Sequence, residues 1–170
     1  QANVTSVGTL TGLTVSADST FNSISIGKGA NSQSGNTVLG ENALDANTTG
    51  NQNTAIGTNA LTDNTTGAFN TAVGRLALQA NTTGGYNVAV GEGTLEYGTG
   101  GNYNVAVGRG ALQDNTSDNN TAAGYLALTQ NTTGTENVAL GAFTADAITT
   151  GSYNTALGSR ALGSNVGANN

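Results

Sequence analysis

Aliphatic residues recur along this chain in one fixed phrase. A tetrapeptide Asn-Thr/Val-Ala-aliphatic, followed by Gly, begins at Asn36, Asn53, Asn70, Asn87, Asn104, Asn120, Asn137 and Asn154. The interval is 17 residues throughout, except for one of 16 after Asn104. Written as a consensus the unit is N-[TV]-A-[VIL]-G-x-x-A-L-x-x-N-T-T-G-x-x. Eight such units cover residues 36–170, with a shorter relative over 23–35. The Thr/Val and aliphatic residues at alternate positions predict a short extended run. The Asn-Thr-Thr-Gly clusters at 47–50, 64–67, 81–84 and 131–134 predict turns, because Asn and Gly tolerate positive φ and Asn caps its own backbone. A helix is excluded by the density of Gly and by the lack of a 3.6-residue stripe. Seventeen residues suit one circuit of a thin solenoid with two strands and two bends. The expected fold is therefore all-β, a parallel β-roll or β-helix solenoid of about eight 17-residue turns.

Stacked circuits put the same unit position of every lap in one column. Position 4 supplies Leu39, Ile56, Val73, Val90, Val107, Ala123, Leu140 and Leu157. Position 9 supplies Leu44, Leu61, Leu78, Leu95, Leu112, Leu128, Ala145 and Leu162. These two columns are the expected core, with Ala at position 8 allowing close approach. The position-5 column (Gly40, Gly57, Gly74, Gly91, Gly108, Gly124, Gly141 and Gly158) suits a sharp bend that only Gly makes at low cost. The position-1 asparagines are expected to form an amide ladder. Position 6 reads Arg75, Glu92, Arg109 in successive units, the sign order that in-register parallel stacking favours.

Composition narrows the chemistry. Of 170 residues only 8% are charged and 5% aromatic, against 28 Thr, 26 Gly and 24 Asn, and there is no Cys, His, Pro, Met or Trp. Without His or Cys no Ser-His-Asp triad, thiol nucleophile or conventional zinc site can be assembled. A net charge of −6 with four Lys+Arg is the wrong footprint for nucleic acid. No apolar stretch approaches the length of a membrane-spanning helix, so no membrane insertion is expected. The first residues lack the basic and apolar regions of a signal peptide, and the chain reads as a piece of something longer. With so few large apolar residues, one copy shields its aliphatic flanks poorly; sister chains would cover them, and a homotrimer is the expected assembly.

The unit N-T-A-V-G-R-L-A-L (70–78) and the fore-runner S-I-S-I-G-K-G-A (23–30) resemble the head repeats of YadA-type trimeric autotransporter adhesins. That family stacks shorter turns of about fourteen residues into a parallel β-roll, three chains side by side. The 17-residue form with N-T-T-G resembles arrays in phage tail-fibre proteins. The leader V-T-S-V-G-T-L-T-G-L-T-V-S (4–16) is similar to the shaft repeats of those fibres, so residues 1–22 are read as shaft or linker and 23–170 as stacked roll. The resemblance implies a structural, non-enzymatic segment of a trimeric fibre in a virion, presenting a surface to a host glycan or protein receptor. The alternatives it leaves open are the head of a bacterial surface adhesin and a glycan-degrading tailspike.

Other motifs carry little. Ser25-Ile-Gly-Lys28 matches S-x-x-K but lies in a Gly-rich turn without a K-T-G partner. Glu92 and Glu96 share a unit, yet nothing in the pattern buries one of them in an aromatic cleft, so both read as solvated surface charges. No calcium-loop pattern occurs, and neither metal nor cofactor is expected. The Thr file at position 13 reads as hydroxyls satisfying turn backbone rather than as an ice-binding face. An aromatic file at position 17 (Phe69, Tyr86, Tyr103 and Tyr153) is the candidate binding stripe, with packing as its plainer role.

Overall fold

The computed structural model describes residues 19–21 and 24–163. Most of the shaft-like leader, residues 1–18, lies outside them. The chain is a parallel β-solenoid of about seven turns, with one three- or four-residue strand per lap. Eight of these strands pair in register: β3 (Thr37–Gly40), β4 (Thr54–Ile56), β5 (Thr71–Val73), β6 (Val88–Val90), β7 (Val105–Val107), β8 (Thr121–Ala123), β9 (Val138–Leu140) and β10 (Thr155–Leu157). Ala55 faces Ala72, Ala72 faces Ala89 and so on up the stack, so every lap repeats the one before. The 16-residue lap keeps this register, with Ala106 opposite Ala122. Its Ser117 carbonyl takes the place of the missing position-15 glycine and accepts the Asn104 and Asn115 amides.

The core differs from expectation at one of its two columns. Position 9 is buried: Leu44, Leu61, Leu78, Leu95, Leu112 and Leu128 are at most 2% exposed, and Leu162 packs against them from the last lap. Position 4 faces outward. Leu39, Val90, Val107, Leu140 and Leu157 are exposed, and Ile56 and Val73 are half-buried. Successive side chains on a strand point to opposite faces, so positions 2 and 4 share the outer face and only position 3 points in. The inner column is thus Val38 followed by Ala55, Ala72, Ala89, Ala106, Ala122, Ala139 and Ala156, all at most 2% exposed. Alanine there lets the strand lie close to the leucine column.

The second strand expected in each lap is absent among the described residues. Positions 7 and 9 instead take left-handed backbone, with φ of 50–53° at all eight position-9 residues. For leucine this conformation costs about 1–2 kcal/mol. It is held by burial of the side chain and by backbone bonds to the next lap, as where Leu61 N–H donates to the Ala77 carbonyl at 3.0 Å. The corners reverse another expectation. The glycines of the N-T-T-G clusters do not take positive φ; a Cβ on Gly50, Gly67 or Gly84 would come within 3.0 Å of the next lap's carbonyl, so these sites need room. Position 5 needs both room and φ: from Gly57 through Gly158 its φ runs from 109° to 145°.

Two asparagine ladders line the interior. At position 1 each Oδ1 from Asn36 to Asn137 accepts the backbone N–H of the next lap's asparagine, as Asn53 does from Asn70 at 2.9 Å, while Nδ2 donates to a carbonyl at or near position 15, as Asn70 does to Gly84 at 2.8 Å. At position 12 the amides of Asn64, Asn81 and Asn131 donate to the copy below. This second ladder is interrupted by Gly98 and Ile148, which leaves Oδ1 of Asn81 and of Asn131 buried without a partner. In the lap holding Ile148, position 9 is Ala145: the large aliphatic group has moved from one buried column to the other, conserving core volume.

The fore-runner does not repeat the parallel strand. β2 (Ile24–Gly27) pairs antiparallel with β3, and β1 (Ser19–Phe21) pairs antiparallel with β2. Beyond it, Ala30 N–H donates to Leu44 O at 3.1 Å and Asn31 Nδ2 to Asn47 O at 2.6 Å. Residues 24–35 therefore cross the end of the first lap and cover its Val38 and Leu44, answering the need of a solenoid for a protected edge.

Candidate functional site

With the interior committed to columns, chemistry is left to the outer faces. The predicted aromatic stripe is brought together in part. Phe69 and Tyr86 stack at 4.7 Å with planes 5° apart, and Tyr86 and Tyr103 at 5.0 Å and 13°. Tyr153 shares the column but is separated from them by Asn119 and Glu136. Each of these aromatics has φ near +60°, the conformation that turns position 17 outward. A sugar or a flat partner binds an aromatic through its face, and here the faces are paired with one another. The stack offers mainly ring edges and two phenol hydroxyls.

The position-6 charges align as expected. Glu92 pairs with Arg75 on one side, and its Oε2 lies 3.4 Å from Arg109 Nε on the other. The hydrogen bond and charge of Arg75, with a smaller contribution from Arg109, hold the Glu92 carboxyl below its ordinary pKa. Because the folded value is depressed, whatever the triplet contributes is present above the unfolded pKa and is lost only as pH falls through the lower, folded one. From Arg109 the contacts pass through Tyr125 of the same file to Phe143 and Arg160 at position 7. Arg109 lies over the Tyr125 ring at 5.7 Å, Tyr125 meets Phe143 edge-on at 5.1 Å, and Arg160 covers Phe143 at 5.2 Å.

Beside this file the structure reveals a notch that the sequence pattern does not announce. Position 7 carries Leu76, Gly93, Gly110 and Leu126 in four successive laps. The two glycines leave a gap of about 110 Å³ between two leucines, bordered by Arg75, Glu92 and Arg109 and floored by Glu96 and Gln113. Glu96 folds into the space over Gly93 and is only 8% exposed, where the sequence reading expects a solvated charge. Its Oε2 accepts a hydrogen bond from Gln113 Nε2 at 2.7 Å. Glu96 also raises the pKa of Tyr97, through its charge first and a hydrogen bond second.

Asp114, half-buried nearby, has its pKa raised by burial and then by the charge of Glu96. The folded state therefore holds that proton more tightly than the unfolded one, so the ionised carboxylate weakens the fold at neutral pH and the penalty fades as pH falls through the raised value. Asp114→Asn is expected to raise Tm slightly at pH 7, with the gain shrinking toward zero in the acidic carboxylate range. Thermal unfolding followed by CD across pH measures it; a pH-independent gain would remove the charge explanation.

The remaining surface features have settled roles. Position-13 hydroxyls of Thr48, Thr65, Thr82, Thr116 and Thr132 each donate to the position-13 carbonyl of the next lap at 2.7–3.0 Å, so they serve the backbone. Ser25 of the S-x-x-K match lies in β2. The outer face of the sheet carries a row of aliphatic side chains, from Ile24 and Ile26 through Leu39 to Leu157.

No family model, curated protein or solved structure matches the chain. The reading of its function rests on its own residues. No helix of the described residues is long and apolar enough to cross a membrane.

Proposed function

We propose that this chain is a structural and adhesive segment of a trimeric fibre, of the kind built by phage tail fibres, and that it presents a surface for attachment to a host cell. It acts without catalysis and in the virion. One observation carries this reading: the row of outward-facing aliphatic side chains along the whole sheet. Leu39, Val90, Val105, Val107, Leu140 and Leu157 are 37–65% exposed, with Ile56, Val73, Val88 and Val138 half-buried between them. The row is interrupted only at β8, where Thr121 and Ala123 face outward, and an exposed apolar row of this length marks a surface that another chain covers. The core behind it is a single alanine column against a single leucine column, so association adds the burial that one thin solenoid lacks. Identical laps present identical strips, which makes further copies of the same chain the fitting cover. The register of the repeats and their likeness to fibre arrays supply the three-fold, fibrous form of that assembly.

Light scattering on the purified chain tests the proposal. The expected mass is three times the 16.7 kDa of one chain. Val107→Asp with Leu140→Asp is expected to yield monomers of lower Tm, because both sites face outward and carboxylates there oppose burial. A wild-type protein that runs as a stable monomer overturns the reading.

A further inference from the structure

Within a repeat protein the lap that departs from its neighbours is informative, since the other laps show what the fold requires at each position. Residues 87–103 depart at three consensus positions, as do residues 137–153 and 154–170. In 87–103 consensus residues are replaced by Thr94 at position 8, Gly98 at 12 and Gly100 at 14, while the variable sites carry Glu92, Gly93, Glu96 and Tyr97. Glycine at position 7 is not a demand of the backbone: Asn42, Asn59, Leu76 and Leu126 take the same left-handed conformation there, with φ of 53–62°. Gly93 and Gly110 make room for the Glu96 carboxylate and the Leu126 side chain, which lie over them, and what remains is the gap between Leu76 and Leu126.

The polar groups around that gap have a definite character. Arg75, Arg109 and the Gln113 amide are donors, while Glu92, Glu96 and the Gln113 carbonyl are acceptors. The two arginines and two glutamates cancel in formal charge, so the rim favours neither an anion nor a cation. Both arginines remain more than half exposed, leaving guanidinium N–H groups beyond those tied to Glu92. Glu96 is held in place by Gln113, so its carboxylate is oriented before any ligand arrives. Leucine side chains close the two ends. A ligand that matches has hydroxyls along one edge and C–H groups at its sides, and carries no charge.

We infer that the notch between Leu76 and Leu126 is a binding subsite for one neutral hexopyranose unit of a glycan, with Glu96 as acceptor and Arg75, Arg109 and Gln113 as donors. At about 110 Å³ it admits the edge of one ring. Affinity per site is accordingly weak, and repetition of the site on sister chains raises the avidity. The inference rests on the attachment role proposed above and names the class of ligand for it.

The test titrates the 15N-labelled chain, in its native assembly, with the methyl pyranosides of glucose, galactose and mannose, followed by amide chemical shifts. At least one of the three is expected to move the amides of Gly93, Glu96, Gly110 and Gln113. Gly93→Asn fills the notch with a residue that position 7 already carries at Asn42 and Asn59, and is expected to weaken binding about tenfold or more while mass and CD stay unchanged. Gln113→Ala, which removes a donor without touching the backbone, is expected to weaken it severalfold and serves if the first variant misfolds. Tyr86→Ala, in the ring stack, should leave binding intact. Binding unchanged by both notch variants overturns the inference, as do shifts centred on Phe69–Tyr103 or a response to inorganic phosphate and to none of the glycosides. Light scattering on the same sample separates the two claims: a trimer that binds no glycoside removes the subsite alone, and a monomer that binds one removes the fibre alone.

Discussion

Gly74→Ala is expected to destabilise the solenoid by about 3–5 kcal/mol, lowering Tm by roughly 10 °C. Two costs combine. The φ of 137° at Gly74 lies where an L side chain is strained, and an added Cβ would sit 2.5 Å from the Gly91 carbonyl oxygen of the next lap. That oxygen belongs to backbone fixed by a bond from Gly91 N–H to Val73 O at 2.8 Å, so neither side can yield without parting the laps. The same column contains its own control. Gly158 has a φ of 109°, but a Cβ there meets nothing within 4 Å among the described residues. Gly158→Ala is expected to show only the conformational part, well under half the loss. Thermal unfolding of the two variants side by side is decisive: equal losses would mean that conformation, and not lap-to-lap contact, selects glycine at position 5.

Asn70→Leu is the second large effect, expected at about 3–5 kcal/mol. Asn70 is 1% exposed and takes part in every bond that its amide allows. Its Nδ2 donates to Asn53 Oδ1 at 3.2 Å and to Gly84 O at 2.8 Å, and its Oδ1 accepts from Asn87 N–H at 3.0 Å and from Asn87 Nδ2 at 3.1 Å. Leucine fills a similar volume but leaves the Asn87 N–H buried and unpaired, and leaves the Gly84 carbonyl with the Asn81 amide alone. Asn70→Asp distinguishes bonding from bulk. It retains an acceptor for Asn87 but turns a carboxylate toward two other acceptors, so its stability should recover on acidification as the carboxyl gains a proton it can donate. Unfolding measured near neutrality and near pH 4 reads the difference. A leucine variant as stable as wild type would show that the ladder records the stacking without supporting it.

The parts of the molecule legible in the sequence are those that the repeat itself enforces. The 17-residue spacing from Asn36 to Asn154, broken once by a 16-residue interval, implies near-equal laps, and such laps align like residues, so the asparagine ladder, the Arg75–Glu92–Arg109 file and the buried leucine column follow from periodicity alone. The face of each strand was a harder matter. Ile56, Val73, Val90, Val107, Leu140 and Leu157 are more hydrophobic than the alanine beside them, and hydrophobicity points them inward. Pleat geometry decides otherwise. With two residues of each strand on one face and one on the other, alanine is the residue whose size permits the strand to approach the position-9 leucines.

The notch was illegible for a related reason. Gly93 and Gly110 look like two more glycines in a glycine-rich chain, and Glu96 like a surface acid. Only the stacking of laps sets the two gaps next to each other, one column away from the charged file, so that Glu96 has a space to fold into. The left-handed leucines at position 9 gave no warning either, because leucine rarely takes that conformation and nothing in its chemistry signals it. The sequence by itself determined the period, the parallel register and the polar ladders, since each follows from one residue type repeating at one interval. The tertiary structure alone decided which face of the strand is inside, how the first lap is covered and where a gap opens, because these depend on the direction and size of side chains from different laps meeting at one point in space.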